Sequence, residues 1–267
     1  MKRLGIIAGE GSLPRTLSIN AMKEGYETIA IAINLKSFID LQGHYTEGKL
    51  LPLTQTAKCI QYLQSKEVSE LVFIGKVHKL WAISQIPFLD GLGRRYLQRL
   101  INLQDNTVHD LLVQICSESG FQIIPQITFL QNLLAPKQNF TNRPLTKAEE
   151  QDIEFGFEMA KRAAELEVSQ LVVVKDRSVM AFEAAEGTDK TIERGCRLAR
   201  KGGVVIKVAW KNQLEQFDLP TIGPRTIQTI AKHKGTVLAI QANSTFIAEP
   251  ERTIKLAKEK NIAFMAI

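Results

Sequence analysis

Leu4-Gly5-Ile6-Ile7-Ala8-Gly9-Glu10-Gly11-Ser12-Leu13-Pro14 is the stretch whose reading decides the fold. A continuous apolar run ends in a glycine turn, and an amphipathic stretch with Leu17, Ala21 and Met22 follows, which reads as strand, turn, helix. Pro14 suits a first helical turn, where its missing N–H leaves no bond unmade, and glycines let backbone amides approach a ligand closely. A dinucleotide fingerprint needs a third glycine where Pro14 stands, and an acid after the second strand, where residues 28–33 run into Asn34-Leu35. The turn of Gly9, Glu10, Gly11, Ser12 and Leu13 therefore reads as a seat for a phosphate or nucleotide, or as a purely structural turn.

Residues 55–64 continue the pattern as a helix and 70–74 as a buried strand ending at Gly75-Lys76. Helices alternating with apolar strands imply an α/β chain with a parallel sheet. Lys76 stands where such a strand ends and ligands gather, so it either reaches a phosphate or is a solvated loop lysine. Residues 76–99 mix Lys76, Lys79, Arg94, Arg95 and Arg99 with Trp81, Ile83, Phe88 and Tyr96. That mixture fits a core-facing helix, or a surface that meets an anionic membrane or an acylated ligand. Asp105-Asn106-Thr107 reads as the cap of a helix with Val108, Leu111, Leu112 and Ile115 on one face, and 121–124 as a last short strand.

Residues 131–146 are rich in Asn, Gln, Pro and Lys and lack periodicity, and are read as a linker between a first domain (1–130) and a second (147–267). Thr146-Lys147-Ala148-Glu149 is a capping box opening a helix with Ile153, Phe157, Ala160 and Ala164 on one face. Residues 170–175 and 179–184 read as a hairpin. Strict alternation would set Val179, Ala181 and Glu183 on one side, with Met180 and Phe182 on the other.

Glu183-Ala184-Ala185-Glu186-Gly187-Thr188-Asp189 then packs three carboxylates around a Gly-Thr turn at a strand-to-helix junction. Thr188 or Asp189 could simply cap the helix. Against that stands Lys207, a charged residue inside the apolar run 204–209, which needs a partner such as Glu183, Glu186 or a phosphate. Phe217-Asp218-Leu219-Pro220-Thr221-Ile222-Gly223-Pro224 sets another carboxylate beside hydroxyl, glycine and proline at a further helix start. Carboxylates, lysines and helix N-termini together suit a hard divalent cation and phosphoryl chemistry.

Composition sets the bounds. Hydrophobic content of 45% and charged content of 23% over 267 residues describe a folded chain rather than a disordered one. The net charge of +6 is spread over both halves, which favours an anionic substrate over a nucleic-acid surface. The three cysteines form no CxxC and read as buried thiols of a reducing, cytoplasmic setting, and no apolar run reaches eighteen residues. The four histidines show no HxxxH or HExxH pairing, and no GxSxG elbow occurs.

The motifs at 6–14, Leu133-Leu134-Ala135-Pro136, 183–189 and 218–224 resemble, in order and spacing, the UDP-2,3-diacylglucosamine pyrophosphatases of lipid A biosynthesis, the two-domain type unrelated to calcineurin-like enzymes. The resemblance implies a Rossmann-like N-terminal domain with a parallel sheet, a second α/β domain carrying the acidic motifs, and a substrate chamber between them. It implies Mg²⁺-dependent hydrolysis of the substrate to UMP and 2,3-diacylglucosamine 1-phosphate, by attack at the sugar-side phosphorus. Asp218 matches the family's essential aspartate, and Glu183, Glu186 and Asp189 its acidic motif.

Two departures stand out. The family's Lys-Pro-x-Gln-Asp-x-Arg keeps Gln213 but has Leu214 for the acid and Gln216 for the arginine, with Lys211 and Arg225 near enough in sequence to substitute. Its Gly-Asp-Asp is Gln104-Asp105-Asn106 here.

The reading that results takes Asp218 and Asp189 as catalytic, with Asp218, Glu186 and Asp189 holding Mg²⁺. Gly9, Glu10, Gly11, Ser12, Leu13, Lys76, Glu183, Gly187, Thr188, Lys207, Thr221 and Gly223 bind an acylated UDP-sugar. The expected partners are that substrate, the inner-membrane surface in passing, and a second copy in a homodimer, two-fold assemblies being the commonest; no nucleic acid is expected. Rival readings are a non-catalytic lipid or sugar-nucleotide binding protein on the same fold, and a nucleotide-dependent oxidoreductase built on the Gly9 turn.

Overall fold

A computed structural model describes residues 2–99, 105–210 and 219–267. Asp218, and with it Gln104, Lys211, Gln213, Leu214 and Gln216, lies outside the described residues. The described chain divides into two units, unit 1 over 2–131 and unit 2 over 132–210 and 219–267.

Unit 1 runs β1 (Lys2–Ala8), α1 (Leu13–Lys23), β2 (Tyr26–Ala32), α2 (Leu35–Leu41), β3 (Glu47–Leu50), α3 (Thr56–Ser65), β4 (Glu70–Ile74), α4 (Lys79–Gln85), α5 (Gly91–Leu97), α6 (Asp105–Glu118), β5 (Gln122–Ile123) and α7 (Ile127–Leu130). Its five strands are all parallel in the order β3-β2-β1-β4-β5, with Ile6 opposite Ala30 on one side and Val72 on the other. The order reverses between β1 and β4, and in such sheets the carboxyl end of that gap is where ligands bind. Leu4, Ile6, Ile7 and Ala8 are all buried, as a strand covered on both faces requires.

Gly9 and Gly75 fall at this reversal, back to back. A Cβ on Gly9 would lie 2.8 Å from the carbonyl carbon of Gly75, so this glycine serves a backbone-to-backbone approach. The strand β3 went unforeseen because its residues are largely exposed and carry no apolar pattern. Asn34 caps α2 through a reciprocal bond pair with Ser37.

Residues 76–99 break into α4, a 3-10 turn at 86–88 and α5. Trp81 is half-buried against the unit 1 core and Tyr96 is buried, its hydroxyl donating to Glu118 at 2.9 Å, while Val77, Ile83 and Phe88 are exposed.

Unit 2 runs β6 (Gln138–Asn139), α8 (Lys147–Glu165), β7 (Leu171–Lys175), β8 (Ser178–Phe182), α9 (Thr188–Leu198), β9 (Gly203–Lys207), β10 (Thr221–Ile222), α10 (Pro224–Lys232), β11 (Gly235–Ile240), β12 (Phe246–Ile247), α11 (Pro250–Glu259) and β13 (Ala263–Ala266). Its six-stranded sheet has the order β6-β13-β11-β9-β7-β8. The three central strands β13, β11 and β9 are parallel, and β6, β7 and β8 pair antiparallel with their neighbours. One face, with Val172, Val174, Val204 and Ile206, packs on α8 through Ile153, Ala160 and Ala164. The other, with Val173, Val205 and Leu238, carries Ile192 of α9, Ile227 and Ile230 of α10 and Ala257 of α11. The capping box at the start of α8 is present in both directions.

The stretch 131–146 does more than connect. It contributes β6 at the sheet edge and buries Ala135 and Phe140, the latter stacked on Phe264 at 4.6 Å. A two-residue strand is too short to show periodicity, which is why the sequence reads there as plain linker.

Alternation along the hairpin fails at one point. Val174 faces Val179 but Val173 faces Ala181, so Met180 is an extra residue, a β-bulge. Val179 consequently packs on the α8 side and Ala181 on the opposite side, contrary to the expectation that they share one. Phe182 joins Val179 on the α8 side.

Candidate functional site

Three elements of unit 2 converge at the carboxyl end of β9. Glu183 extends the hairpin by one bond, its N–H donating to Leu171 O at 2.9 Å. The chain then turns through Gly187, whose φ of +81° caps α9 in a region that favours glycine, and delivers Thr188 as the first helical residue. Lys207 ends β9, opposite Leu171 on one neighbouring strand and Ile240 on the other.

The Thr188 hydroxyl accepts a hydrogen bond from Lys207 Nζ at 2.8 Å and donates one to Glu183 Oε1 at 2.8 Å. A hydroxyl has one proton to give, so this arrangement fits an ammonium on one side and a carboxylate on the other. Lys207 Nζ is 3.9 Å from Glu183 Oε2, beyond hydrogen-bond range. Lys207 is 6% exposed, and among the described residues Thr188 is the acceptor it reaches. An ammonium has three donors, so beside this one acceptor among the described residues it can also donate to an anionic ligand.

The flanking carboxylates are held by arginines. Glu186 accepts from Arg194 at 2.6 Å and from Thr191 at 3.2 Å, and the Arg194 bond is the main cause holding its carboxyl below the usual range. Asp189 Oδ2 lies 2.8 Å from Arg225 Nε, an ion pair between the first turns of α9 and α10. At α10, the Gly223 N–H donates to Thr226 Oγ1 at 3.3 Å, and Thr221 donates to Leu219 O at 3.1 Å.

Among the described residues, no group of three or more His, Cys, Asp and Glu is placed to hold a metal ion. The oxygens of Glu186 and Asp189 have the right hardness for Mg²⁺, but each faces an arginine, so the described residues alone do not make its site.

The remaining expected residues lie in unit 1. Gly9 N–H donates to Ile74 O at 2.8 Å, and Glu10 and Lys76 exchange two backbone bonds at 3.0 and 2.8 Å. The Gly11 N–H donates to Asp40 Oδ2 at 3.0 Å. The Glu10 side chain accepts from Lys36 at 2.6 Å and Asn34 at 3.2 Å, with His78 Nε2 3.9 Å away. Burial pushes its carboxyl up, Lys36, Asn34 and His78 push it down, and the net direction is down. Ser12 caps α1 without a side-chain bond and Leu13 is buried. The structure thus gathers Glu183, Gly187, Thr188 and Lys207 at one point, sets Glu186 and Asp189 beside it on arginines, and uses much of the glycine turn for internal bonds.

Sequence reasoning missed Arg194, Asp40 and Gln241. Gln241 N–H donates to Lys207 O at 2.9 Å, while its Oε1 accepts from Ala209 N–H at 3.0 Å and Lys161 at 2.9 Å, pinning the exit of β9. A polar residue closing the apolar run 235–240 was the available signal. Thiol chemistry has no support: burial pushes Cys59 up to about 11 and Cys116 and Cys196 to about 12. A cavity of about 550 Å³ lies by the amino end of β1, but Arg3 pairs there with Glu27 at 2.9 Å and Glu67 at 2.7 Å.

Comparison with known proteins gives two family matches, the LpxI N-terminal domain over residues 3–133 and the LpxI C-terminal domain over 136–265. The whole chain is 25% identical over 278 aligned positions to the UDP-2,3-diacylglucosamine pyrophosphatase LpxI of Caulobacter vibrioides, covering 98% of it. Solved structures with partial likeness include a glycinamide-RNase-transformylase T from Mycobacterium tuberculosis (15% identity, 68% of this chain, 44% of that one, TM-score 0.26). Another is a UDP-glucose-4-epimerase from Stenotrophomonas maltophila (7% identity, 98% of both chains, TM-score 0.34).

Proposed function

The chain belongs to the LpxI family, and from that membership and the buried Lys207 we propose that it hydrolyses the pyrophosphate of UDP-2,3-diacylglucosamine to UMP and 2,3-diacylglucosamine 1-phosphate in lipid A biosynthesis. The observation that carries the site is the buried ammonium of Lys207, fixed by Thr188 and Glu183 at a strand end with one hydrogen-bond acceptor among the described residues. An anion arriving there completes the hydrogen bonding of Lys207, and the buried setting makes the charge count for more than it does in water.

In the proposed reaction a water oxygen bonds to the sugar-side phosphorus and the bridging P–O bond breaks. UMP leaves with the bridging oxygen, and the proton of the attacking water is taken up by a carboxylate or solvent. Lys207 and the first-turn amide of Thr188 on α9 neutralise the phosphates, and Thr221 and Gly223, just before α10, are proposed as further substrate contacts. Asp218, with Asp189 or Glu186, would hold Mg²⁺. When bound, that ion would supply polarisation of the phosphoryl oxygens and a more acidic water. In unit 1, Lys76 and the turn of Gly9, Glu10, Gly11, Ser12 and Leu13 are proposed to contact the substrate away from its phosphates.

The acyl chains give a reason for transient contact with the inner-membrane surface, for which Val77, Ile83 and Phe88, and Arg94 and Arg95 of α5, offer exposed apolar and basic side chains. Among the described residues no helix is long and apolar enough to cross a membrane. A cytoplasmic homodimer belongs to the same proposal.

A binding protein without turnover is the second reading, favoured by Leu214 and Gln216 where the family motif has an acid and an arginine. UMP release from the acylated substrate, compared between the parent and Lys207→Met, separates the two. The first reading expects release that falls in the variant, and the second expects binding with no release from either.

A further inference from the structure

We propose that Asp40 is a specificity-determining residue that keeps phosphate out of the glycine turn of unit 1. A glycine turn leading into a helix at the reversal of a parallel sheet ordinarily offers its amides to a phosphate. Here the three amides that precede the helix start are engaged. Gly9 and Glu10 donate to Ile74 O and Lys76 O at 2.8 and 3.0 Å, and Gly11 donates to Asp40 Oδ2 at 3.0 Å. Gly11 has a φ of +104° with no atom within 4 Å of where a Cβ would stand, so its glycine answers to backbone direction and not to crowding. Its amide therefore turns toward α2, and a carboxylate from α2 stands where an anion would.

The surrounding charges reinforce the exclusion. The Glu10 carboxylate lies on the same turn and takes the Lys36 ammonium at 2.6 Å, so that cation is already committed to an internal acid. A phosphate at Gly11 would have to displace Asp40 and sit beside Glu10. On the pyrophosphatase reading, on which the identity of the anion rests, the phosphates fall to the Lys207 group in unit 2.

The test uses the full chain labelled with ¹³C-carbonyl glutamate and ¹⁵N glycine, which displays the four Glu-Gly amides, Gly11, Gly25, Gly48 and Gly187. Inorganic phosphate is titrated into the parent, Asp40→Ala and Asp40→Asn. In the parent, Gly187 is expected to shift saturably while Gly11 stays still. In Asp40→Ala, Gly11 is expected to titrate too, at least about tenfold more tightly than in the parent. Asp40→Asn, which keeps an acceptor without its charge, is expected to lie between. A parent Gly11 that titrates as tightly as in Asp40→Ala overturns the proposal, as does a folded Asp40→Ala in which Gly11 is unmoved. Gly187 reports separately on unit 2, so its silence would count against the Lys207 site and leave the Gly11 result standing.

Discussion

Lys207 Nζ donates to Thr188 Oγ1 across 2.8 Å, joining the end of a central strand to the first residue of a helix from the other side of a hairpin. The hydroxyl donates its own hydrogen bond to Glu183, so among the described residues Thr188 is the one hydrogen-bond acceptor of the ammonium. Replacing Lys207 by Met should lower kcat/KM by about 10²–10³, the scale of one preorganised charge donor. Thr188→Ser should keep activity within about threefold and Thr188→Val should cost about 10–100-fold, the hydroxyl being the part used. Steady-state kinetics across the three variants checks this; a Val variant as active as Ser would detach Thr188 from the site.

The Asp189–Arg225 pair spans two helix starts, with the Arg225 side chain 75% exposed. An ion pair so open to solvent contributes at most about 1 kcal/mol, so Arg225→Ala should barely move the melting temperature. If Asp189 serves a metal, the same change should lower the half-saturating Mg²⁺ concentration, whereas Asp189→Asn should raise it about tenfold or more. Mg²⁺ titrations of activity that are identical in both variants would remove Asp189 from the metal set.

Acid sensitivity should trace to the start of α8. Glu149 closes the capping box and binds Arg143 at 2.7 Å; burial pushes its carboxyl up, Arg143 and the Thr146 amide push it down, and the outcome is about 2 against a reference of 4.5. A depressed carboxylate contributes stability in full above its unfolded value, and the contribution fades as pH falls from about 4.5 toward 2. Glu149→Gln should therefore cost about 2–3 kcal/mol at pH 7, and its gap to the parent should close toward pH 2. Denaturant titrations at pH 7 and pH 3 measure both numbers; a gap independent of pH would contradict the assignment.

Two glycines of α9 should fail for different reasons. Gly187→Ala has open space but an unfavourable φ of +81°, costing about 1–2 kcal/mol. Gly195→Ala would put a methyl 2.5 Å from Val173 Cβ and should cost about 2–3 kcal/mol. Adding Val173→Ala should recover part of the Gly195→Ala loss and none of the Gly187→Ala loss, as thermal melts of the double variants would show.

How much could be read beforehand follows from where each signal lies. The run Leu4 to Ala8, its glycine turn and the helix after it are local, and so is the Thr146–Glu149 box; all four appear as read. Lys207 stands out in sequence as a charge inside the apolar run 204–209, although the strand itself ends at Lys207. The bulge at Met180 did not, because it depends on which partner residues face it, and the same holds for Asp40 on Gly11, 29 residues away. Arg194 and Gln241 likewise acquire meaning only through contacts between elements.

The most direct measurement is UMP release from UDP-2,3-diacylglucosamine by the purified protein, with and without Mg²⁺, beside Asp218→Ala and Lys207→Met. The predicted result is Mg²⁺-dependent release that Asp218→Ala abolishes and Lys207→Met reduces by about 10²–10³. Folded parent protein that binds the substrate and releases no UMP would contradict it.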